Sequence, residues 1–348
     1  MISTTLVECE PILDFPVQGA NSHAYLANDP NLKREIAVKD IRNSSIKKRQ
    51  VDDYFQEARI AALATHPLVM QVYYVGFDET NGIARVVTPY YPNGCMQTRI
   101  NNLLGSNKLL SIKEIISRAI EIGQGLNHLH SLGILHLDIK PSNLILSNDG
   151  KTIVTDFGQS KLLNGSQFAT DLRLYHKNMT PEFLQHGVAD YRSDVYQFGL
   201  LLYRLCNENI LNNLLRRYSH VDELKRDILA GSFPDRGRFN VHVPNALIKL
   251  IRTCLDVDPA NRFPDFYTVI NELCSIEGYD LDLDLTSKVM LGNKNGKAYS
   301  VEYTKDNTTD RFSVVFKVNG RRKSSFCKAN MTEYQLRNTI KKGIAGGG

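Results

Sequence analysis

The sequence predicts an α+β protein of two lobes, β-rich then α-rich, followed by a small α+β unit. Three observations carry that prediction. Short apolar runs bounded by turn residues dominate from about residue 10 to 92. Longer stretches with apolar residues at helical spacing dominate from about 93 to 278. Two-residue alternation returns after Gly278 and recurs to about Cys327.

In the first lobe, Ala20 to Ala27, Glu35 to Ile41, Gln71 to Phe77 and Ala84 to Thr88 read as strands. Val51 to Ala64 places Tyr54, Phe55, Ala58, Ala61 and Ala62 on one helical face, and His66-Pro67 halts the helix. In the second lobe, Ser111 to Leu132 is a long amphipathic helix carrying Ile112, Ile115, Ile116, Ala119, Ile120 and Leu126. Asn148-Asp149-Gly150 is a tight-turn signal joining Leu144–Leu146 to Thr152–Thr155. Asp194 to Leu205 and Ala246 to Leu255 read as buried helices. After Gly278, strands are expected at Leu281–Leu285, Ala298–Tyr303, Phe312–Val318 and Arg321–Cys327, with Asn319-Gly320 as a hairpin turn. Thr332 and Gln335 make a capping box before a helix to about Lys342, and Ala345 to Gly348 reads as a flexible end. The expected division is therefore 1–278, with lobes at about 10–92 and 93–278, and a basic ββββα unit at 279–348.

Composition narrows the function classes. The 348 residues are 42% hydrophobic and 23% charged, ordinary for a globular protein. The longest apolar run, Phe198 to Leu205, is broken by Arg204 and is far short of the ~20 residues that span a bilayer. Met1 to Thr5 lacks the basic-then-apolar pattern of a signal peptide. The six cysteines never form Cys-x-x-Cys, so a reducing, cytoplasmic setting without zinc is expected. The net charge of +5 is concentrated in the tail, where residues 279–348 hold 13 Lys/Arg against 7 Asp/Glu.

Two fragments carry most of the chemistry. His136-Leu137-Asp138-Ile139-Lys140-Pro141-Ser142-Asn143 offers a carboxylate, a cation and an amide, and Asp156-Phe157-Gly158 follows thirteen residues after Asn143. Lys39 is the one cation in the apolar run Ile36-Ala37-Val38-Lys39. Thr180-Pro181-Glu182, Ser193-Asp194-Val195-Tyr196-Gln197-Phe198-Gly199 and Asp258-Pro259-Ala260-Asn261-Arg262 follow in order. With these motifs, roughly residues 10 to 275 resemble the eukaryotic-type (Hanks-type) serine/threonine protein kinase family. No family is recognised in the last 70 or so residues.

That resemblance implies a bilobal kinase fold binding ATP and Mg²⁺ between its lobes, and it assigns roles. Asp138 becomes the proton acceptor and Lys140 the cation that offsets charge on the transferred group. Asn143 and Asp156 become the metal ligands. Lys39 holds the α/β-phosphates, braced by Glu57 from the helix. Ala24, Ala37 and Ile145 sandwich the adenine, Thr88 is the gatekeeper, and Pro89-Tyr90-Tyr91 is the hinge, with Tyr91 donating its N–H. Lys140 points to a serine or threonine acceptor on a protein. Glu182 pairs with Arg262, and Asp194 bonds the backbone of the catalytic loop.

The resemblance also has departures. Of three expected loop glycines, at Val17, Gly19 and Ser22, only Gly19 is present. Side chains at the other two hinder close backbone approach to phosphate. Leu137 replaces the arginine that in this family receives an activation-segment phosphate, which makes the chain non-RD. Ser160, Ser166 and Thr170 remain acceptor hydroxyls in that segment, and Tyr175 stands where a threonine facing the substrate is usual. Cys95 and Ser142 replace acids that read arginine, so a basic substrate motif is not expected.

The leading reading is an active serine/threonine kinase. The alternative is a pseudokinase scaffold that binds nucleotide weakly and recruits a partner through its tail; a small-molecule kinase fits Lys140 and Arg262 poorly. Arg321-Arg322-Lys323 and Lys341-Lys342 could meet an acidic partner, nucleic acid or anionic lipid, or could be a solvated face. Partner or substrate recruitment is the preferred functional reading there. Tyr299, Tyr303, Phe312, Phe316 and Phe326 alternate in strands and read as core.

Overall fold

The computed structural model describes residues 9–15, 22–42, 59–60, 62–78, 83–163, 165–170, 172, 178–278, 280–294 and 296–346. Gly19, Glu57 and Tyr175, and most of the helix expected over Val51–Ala64, lie outside those residues; Arg59, Ile60, Ala62 and Leu63 are helical.

The N-terminal lobe is one antiparallel sheet in the order β1-β2-β3-β5-β4. Its strands are β1 (Glu10–Asp14), β2 (Ser22–Asp29), β3 (Arg34–Arg42), β4 (Tyr74–Asp78) and β5 (Ile83–Pro89). The sequence reading had no β1, because this edge strand is exposed throughout and shows no apolar alternation. Cross-strand register sorts the residues by face. Ala24 opposes Lys39 and Ala37 opposes Thr88, so all four share one face of the sheet. On the other face Tyr25, Ala27, Ile36, Val38 and Val87 form their own buried cluster. The first face is thereby left for a cleft.

The second lobe is built on α1 (Met96–Gly105), α2 (Ile112–Ser131), α3 (Pro181–His186), α4 (Tyr191–Leu215), α5 (Val221–Leu229), α6 (Asn245–Cys254) and α7 (Phe266–Cys274). Ser111 caps α2 by accepting from Glu114 N–H, and Ile112, Ile115, Ile116, Ala119, Ile122, Leu126 and Leu129 bury one stripe. Gly125 lets α2 approach the neighbouring chain, since a Cβ there would lie 2.9 Å from Leu68 O. Two short ribbons sit at the front. β6 (Ile134–Leu135) pairs with β9 (Lys161–Leu162), and β7 (Leu144–Leu146) pairs with β8 (Thr152–Val154) through the Asn148-Asp149-Gly150 turn. Gly150 has φ +80° there, a conformation costly for other residues.

The C-terminal unit has six strands where the sequence reading had four. They are β10 (Leu281–Asp284), β11 (Val289–Lys294), β12 (Lys297–Asp306), β13 (Arg311–Val318), β14 (Arg321–Arg322) and β15 (Lys328–Met331), closed by α8 (Glu333–Gly346). β11 was missed because Gly292-Asn293-Lys294 dilutes its alternation. The strand expected at Arg321–Cys327 is instead interrupted by a 3₁₀ turn at Ser324–Phe326. The Thr332/Gln335 capping box forms, with both reciprocal bonds present (2.9 and 3.2 Å).

This unit is fused to the second lobe by packing. Leu281, Leu283, Met290, Phe316 and Leu336 belong to the same buried cluster as α2, α4 and α6. Leu109 N–H donates to Leu283 O, Leu285 N–H to Asn107 O, and Arg337 to Phe239 O. Tyr299, Phe312 and Phe316 are buried, as their alternation implied, whereas Tyr303 and Phe326 are only partly buried against the same core.

Candidate active site

The loop between β6 and β7 is held open by α4. Asp194, fully buried one turn into that helix, accepts from His136 N–H, Leu137 N–H and His130 Nε2, each at 2.8 Å. Leu137 adopts φ +61°, a left-handed conformation worth about 1–2 kcal/mol of strain in a non-glycine residue. Bonds on both sides of it, to Asp194 and from Gln197 Nε2 to its carbonyl (2.9 Å), hold that conformation. His136 Nδ1 accepts from Asp138 N–H (3.2 Å), which leaves Nε2 to donate to Thr155 O (3.1 Å) and ties the loop to the strand leading into Asp156.

Asp138 is 5% exposed, and its carboxylate is the hub of the loop. Lys140 Nζ lies 2.5 Å from Oδ2, and Asn143 Nδ2 donates to Oδ2 and to the Asp138 carbonyl, both at 2.9 Å. Asn178 Nδ2 donates to Oδ1 at 2.9 Å. A carboxylate accepts about four hydrogen bonds, so three side-chain donors leave room for one more.

Asp156 reaches the same cleft from the second fragment, at φ +67°. Its Oδ1 lies 3.4 Å from Lys39 Nζ on β3, an ion pair that spans the two lobes. Burial pushes its carboxyl up, but Lys39, Lys140 and His136 together outweigh that and hold it below the usual carboxylate range. Phe157 is buried, its ring 5.7 Å from that of His136. Ala24, Ala37, Lys39, Thr88, Pro89, Tyr91 and Ile145 are each partly exposed, as residues lining a cleft would be. Thr88 Oγ1 turns back to Pro89 O at 3.4 Å, and Ile145 bridges to Cys95.

A family model described as "Protein kinase domain" matches residues 18–273 of this chain. The chain belongs to the protein kinase domain family. Among curated proteins, a probable serine/threonine-protein kinase of Clostridium acetobutylicum is 28% identical over 280 residues, covering 80% of this chain and 41% of its own length. Serine/threonine-protein kinase PrkC of Bacillus subtilis is 28% identical over 249 residues (70% and 37%). Serine/threonine-protein kinase PknD of Protochlamydia amoebophila is 24% identical over 291 residues (74% and 28%). The chain thus spans less than half the length of these relatives.

The kinase domain places its remaining motifs as follows. Glu182, at the start of α3, accepts from Arg262 NH1 (3.1 Å) and NH2 (2.8 Å) in a buried bidentate pair. Burial opposes its ionisation, but Arg262 and Ser193 hold the carboxyl below its ordinary range. Of Ser160, Ser166 and Thr170 in the segment from Asp156 to Glu182, Ser160 is buried and donates to His136 O (3.2 Å), whereas Ser166 and Thr170 are exposed. Lys39 meets Asp156; Glu57 lies outside the described residues.

Sequence reasoning gave no role to Asn178 or Gln197. Gln197 had a signal, an amide in the middle of an otherwise apolar helical run. Asn178 had none, because its contact with Asp138 spans forty residues of chain.

Proposed function

We propose that this kinase-domain chain is an active ATP-dependent serine/threonine protein kinase of the non-RD type. The observation that carries the reading is a single constellation: Asp138, Lys140 and Asn143 bonded to one another, with Asp156 joined across the cleft to Lys39. The bacterial relatives, named as serine/threonine-protein kinases, support the serine/threonine assignment.

The donor set suits Mg²⁺. Asn143 donates both bonds of its NH₂ to Asp138, its amide oxygen accepts only a long bond from Ser142 Oγ (3.4 Å), and the Asp156 carboxyl is held below the usual carboxylate range. Two hard oxygen groups leave most of an octahedral shell to phosphate oxygens and water, the usual arrangement for this ion. When bound there, Mg²⁺ would neutralise phosphate charge and ATP would supply the γ-phosphoryl group.

The chain's own residues do the rest. Lys39 would hold the phosphates. Lys140 would offset charge on the transferred group, and Asp138 would accept the hydroxyl proton at its one remaining acceptor position. Gly19 and Glu57 complete the proposed set from outside the described residues. Ala24, Ala37, Thr88, Pro89, Tyr91 and Ile145 would hold the base.

The catalytic unit is taken as 1–278 and the appended unit as 279–348. Its exposed Arg321, Arg322, Lys323, Lys341 and Lys342 fit recruitment of an acidic protein better than of nucleic acid, because Tyr299, Phe312 and Phe316 are buried and cannot stack on bases. A cytoplasmic setting fits six free thiols. No helix among the described residues is long and apolar enough to cross a membrane.

The test is phosphoryl transfer from γ-labelled ATP with Mg²⁺ to a generic protein acceptor, followed by phosphoamino-acid analysis. Asp138→Asn should lower transfer by about 10²–10⁴-fold, the usual worth of a positioned base. Equal labelling by wild type and variant would overturn the reading. Nucleotide binding without Asp138-dependent transfer is the outcome a scaffold would give.

A further inference from the structure

We propose that Gln197 and Asn178 form an uncharged latch that fastens the activation segment to the catalytic loop and aims Asp138 without any phosphate. The proposal rests on the kinase reading for its catalytic consequence and on geometry for the latch itself.

Gln197 projects from α4, one residue past the turn that Asp194 begins, and is fully buried. Its Nε2 donates to two carbonyls at 2.9 Å, Leu137 O in the catalytic loop and Asn178 O in the activation segment. Its Oε1 accepts from Ile139 N–H at 3.1 Å. One amide therefore grips the backbone on both sides of Asp138 and also the segment that crosses above it. Asn178, 4% exposed, completes the circuit when its own Nδ2 donates to Asp138 Oδ1 at 2.9 Å. Moving the activation segment would break the bond to Asn178 O and withdraw the donor from the carboxylate together.

A second, independent observation says how the rest of the seam is held. Leu137 packs in a closed apolar cluster with Leu135, Leu163, Ala169 and Ala189, and Leu172 and Met179 of the same segment pack against it. Leu137 is wholly buried, so a phosphate brought to that seam would meet hydrocarbon. A phosphate is stabilised by cations and N–H donors, and desolvation against an apolar wall disfavours it. Among the described residues, this seam is closed by apolar packing and amides. Asn178 and Gln197 act through Asp138 and the backbone, as positioning residues.

The experiment pairs kinetics with hydrogen exchange on the full chain. Removing a hydrogen bond to a charged group is worth about 10–100-fold, so Asn178→Ala should lower kcat by that factor while KM for Mg-ATP stays within about twofold. Asn178→Asp, nearly isosteric but presenting a carboxylate to Asp138, should lower kcat further. Phosphatase-treated wild type, and the double variant Ser166→Ala/Thr170→Ala, should keep kcat within about twofold of untreated protein. Gln197→Met, similar in volume but without the amide, should speed exchange at Leu137–Ile139 and Met179–Glu182 while α2 amides stay protected.

Full kcat in Asn178→Ala, or a tenfold loss on dephosphorylation, overturns the latch while leaving the kinase reading intact. A wild type with no transfer removes the kinase reading instead. Exchange still decides the latch in that case, and unchanged protection at Ile139 in Gln197→Met refutes it.

Discussion

Replacing Arg262 with methionine should destabilise the domain by about 3–5 kcal/mol at neutral pH, the cost of leaving one member of a buried ion pair alone. The structure sets the size. The Arg262 side chain is 0% exposed and Glu182 9%, so water cannot take over as a partner. Besides its two bonds to Glu182, the guanidinium donates to Asp256 O (2.8 Å), Arg192 O (2.9 Å) and Val257 O (3.3 Å), and lies 4.8 Å over the Tyr196 ring. Methionine fills part of the volume and satisfies none of these acceptors. Urea denaturation followed by circular dichroism gives the loss from the midpoint and slope.

The pH dependence gives a second handle. In the wild type the depressed folded pKa of Glu182 means its contribution is present above the unfolded carboxylate range and lost as pH falls through the folded value. In Arg262→Met the main remaining influence is burial, which favours the protonated acid. The stability gap between the two proteins should therefore narrow as pH falls from 7 toward the carboxylate range. The double variant Glu182→Leu/Arg262→Met, with no uncompensated charge, should recover much of the loss. A single-variant cost below about 1 kcal/mol, or a gap that widens with acid, would refute the reasoning.

Two further outcomes follow from the seam between the second lobe and the C-terminal unit. His242 is fully buried, and burial first, with the nearby Arg337 charge adding to it, pushes its pKa down to about 4 against a smaller opposing effect from a backbone bond at Leu110. The neutral form is the folded form, so stability is full above about pH 6.5 and falls as pH drops toward 4, by about 3 kcal/mol in total. His242→Leu should flatten that part of the acid limb in urea titrations; an unchanged limb would exclude His242 as its source. Truncation after Gly278 removes the partners of Leu109 N–H, Asn107 O and Phe239 O and divides one core in two. The shortened chain should unfold at lower urea, by at least about 2 kcal/mol, and equal midpoints would show that the unit is merely appended.

The two polar fragments were legible because their chemistry is compressed into short runs. Asp138, Lys140 and Asn143 lie within six residues, so the bonds among them are short-range in the chain. Strand register then carried Lys39, Ala24, Ala37 and Thr88 to one face, a placement that period-2 alternation already encodes. Glu182 and Arg262, eighty residues apart, could be paired only through resemblance, since nothing local in either says what it meets.

What the sequence determined by itself was the lobe order, the helix caps, the turn before Asp156 and the polar set of the two fragments. These depend on hydrogen bonds and periodicities spanning a few residues. Tertiary structure alone decided that the C-terminal sheet shares the second lobe's core and that Asn178 and Gln197 govern the surroundings of Asp138. An amide carries the same local preferences whether it ends in solvent or against a carboxylate. Its role is fixed by burial and by which distant chain crosses above it, and only packing of the whole molecule settles both.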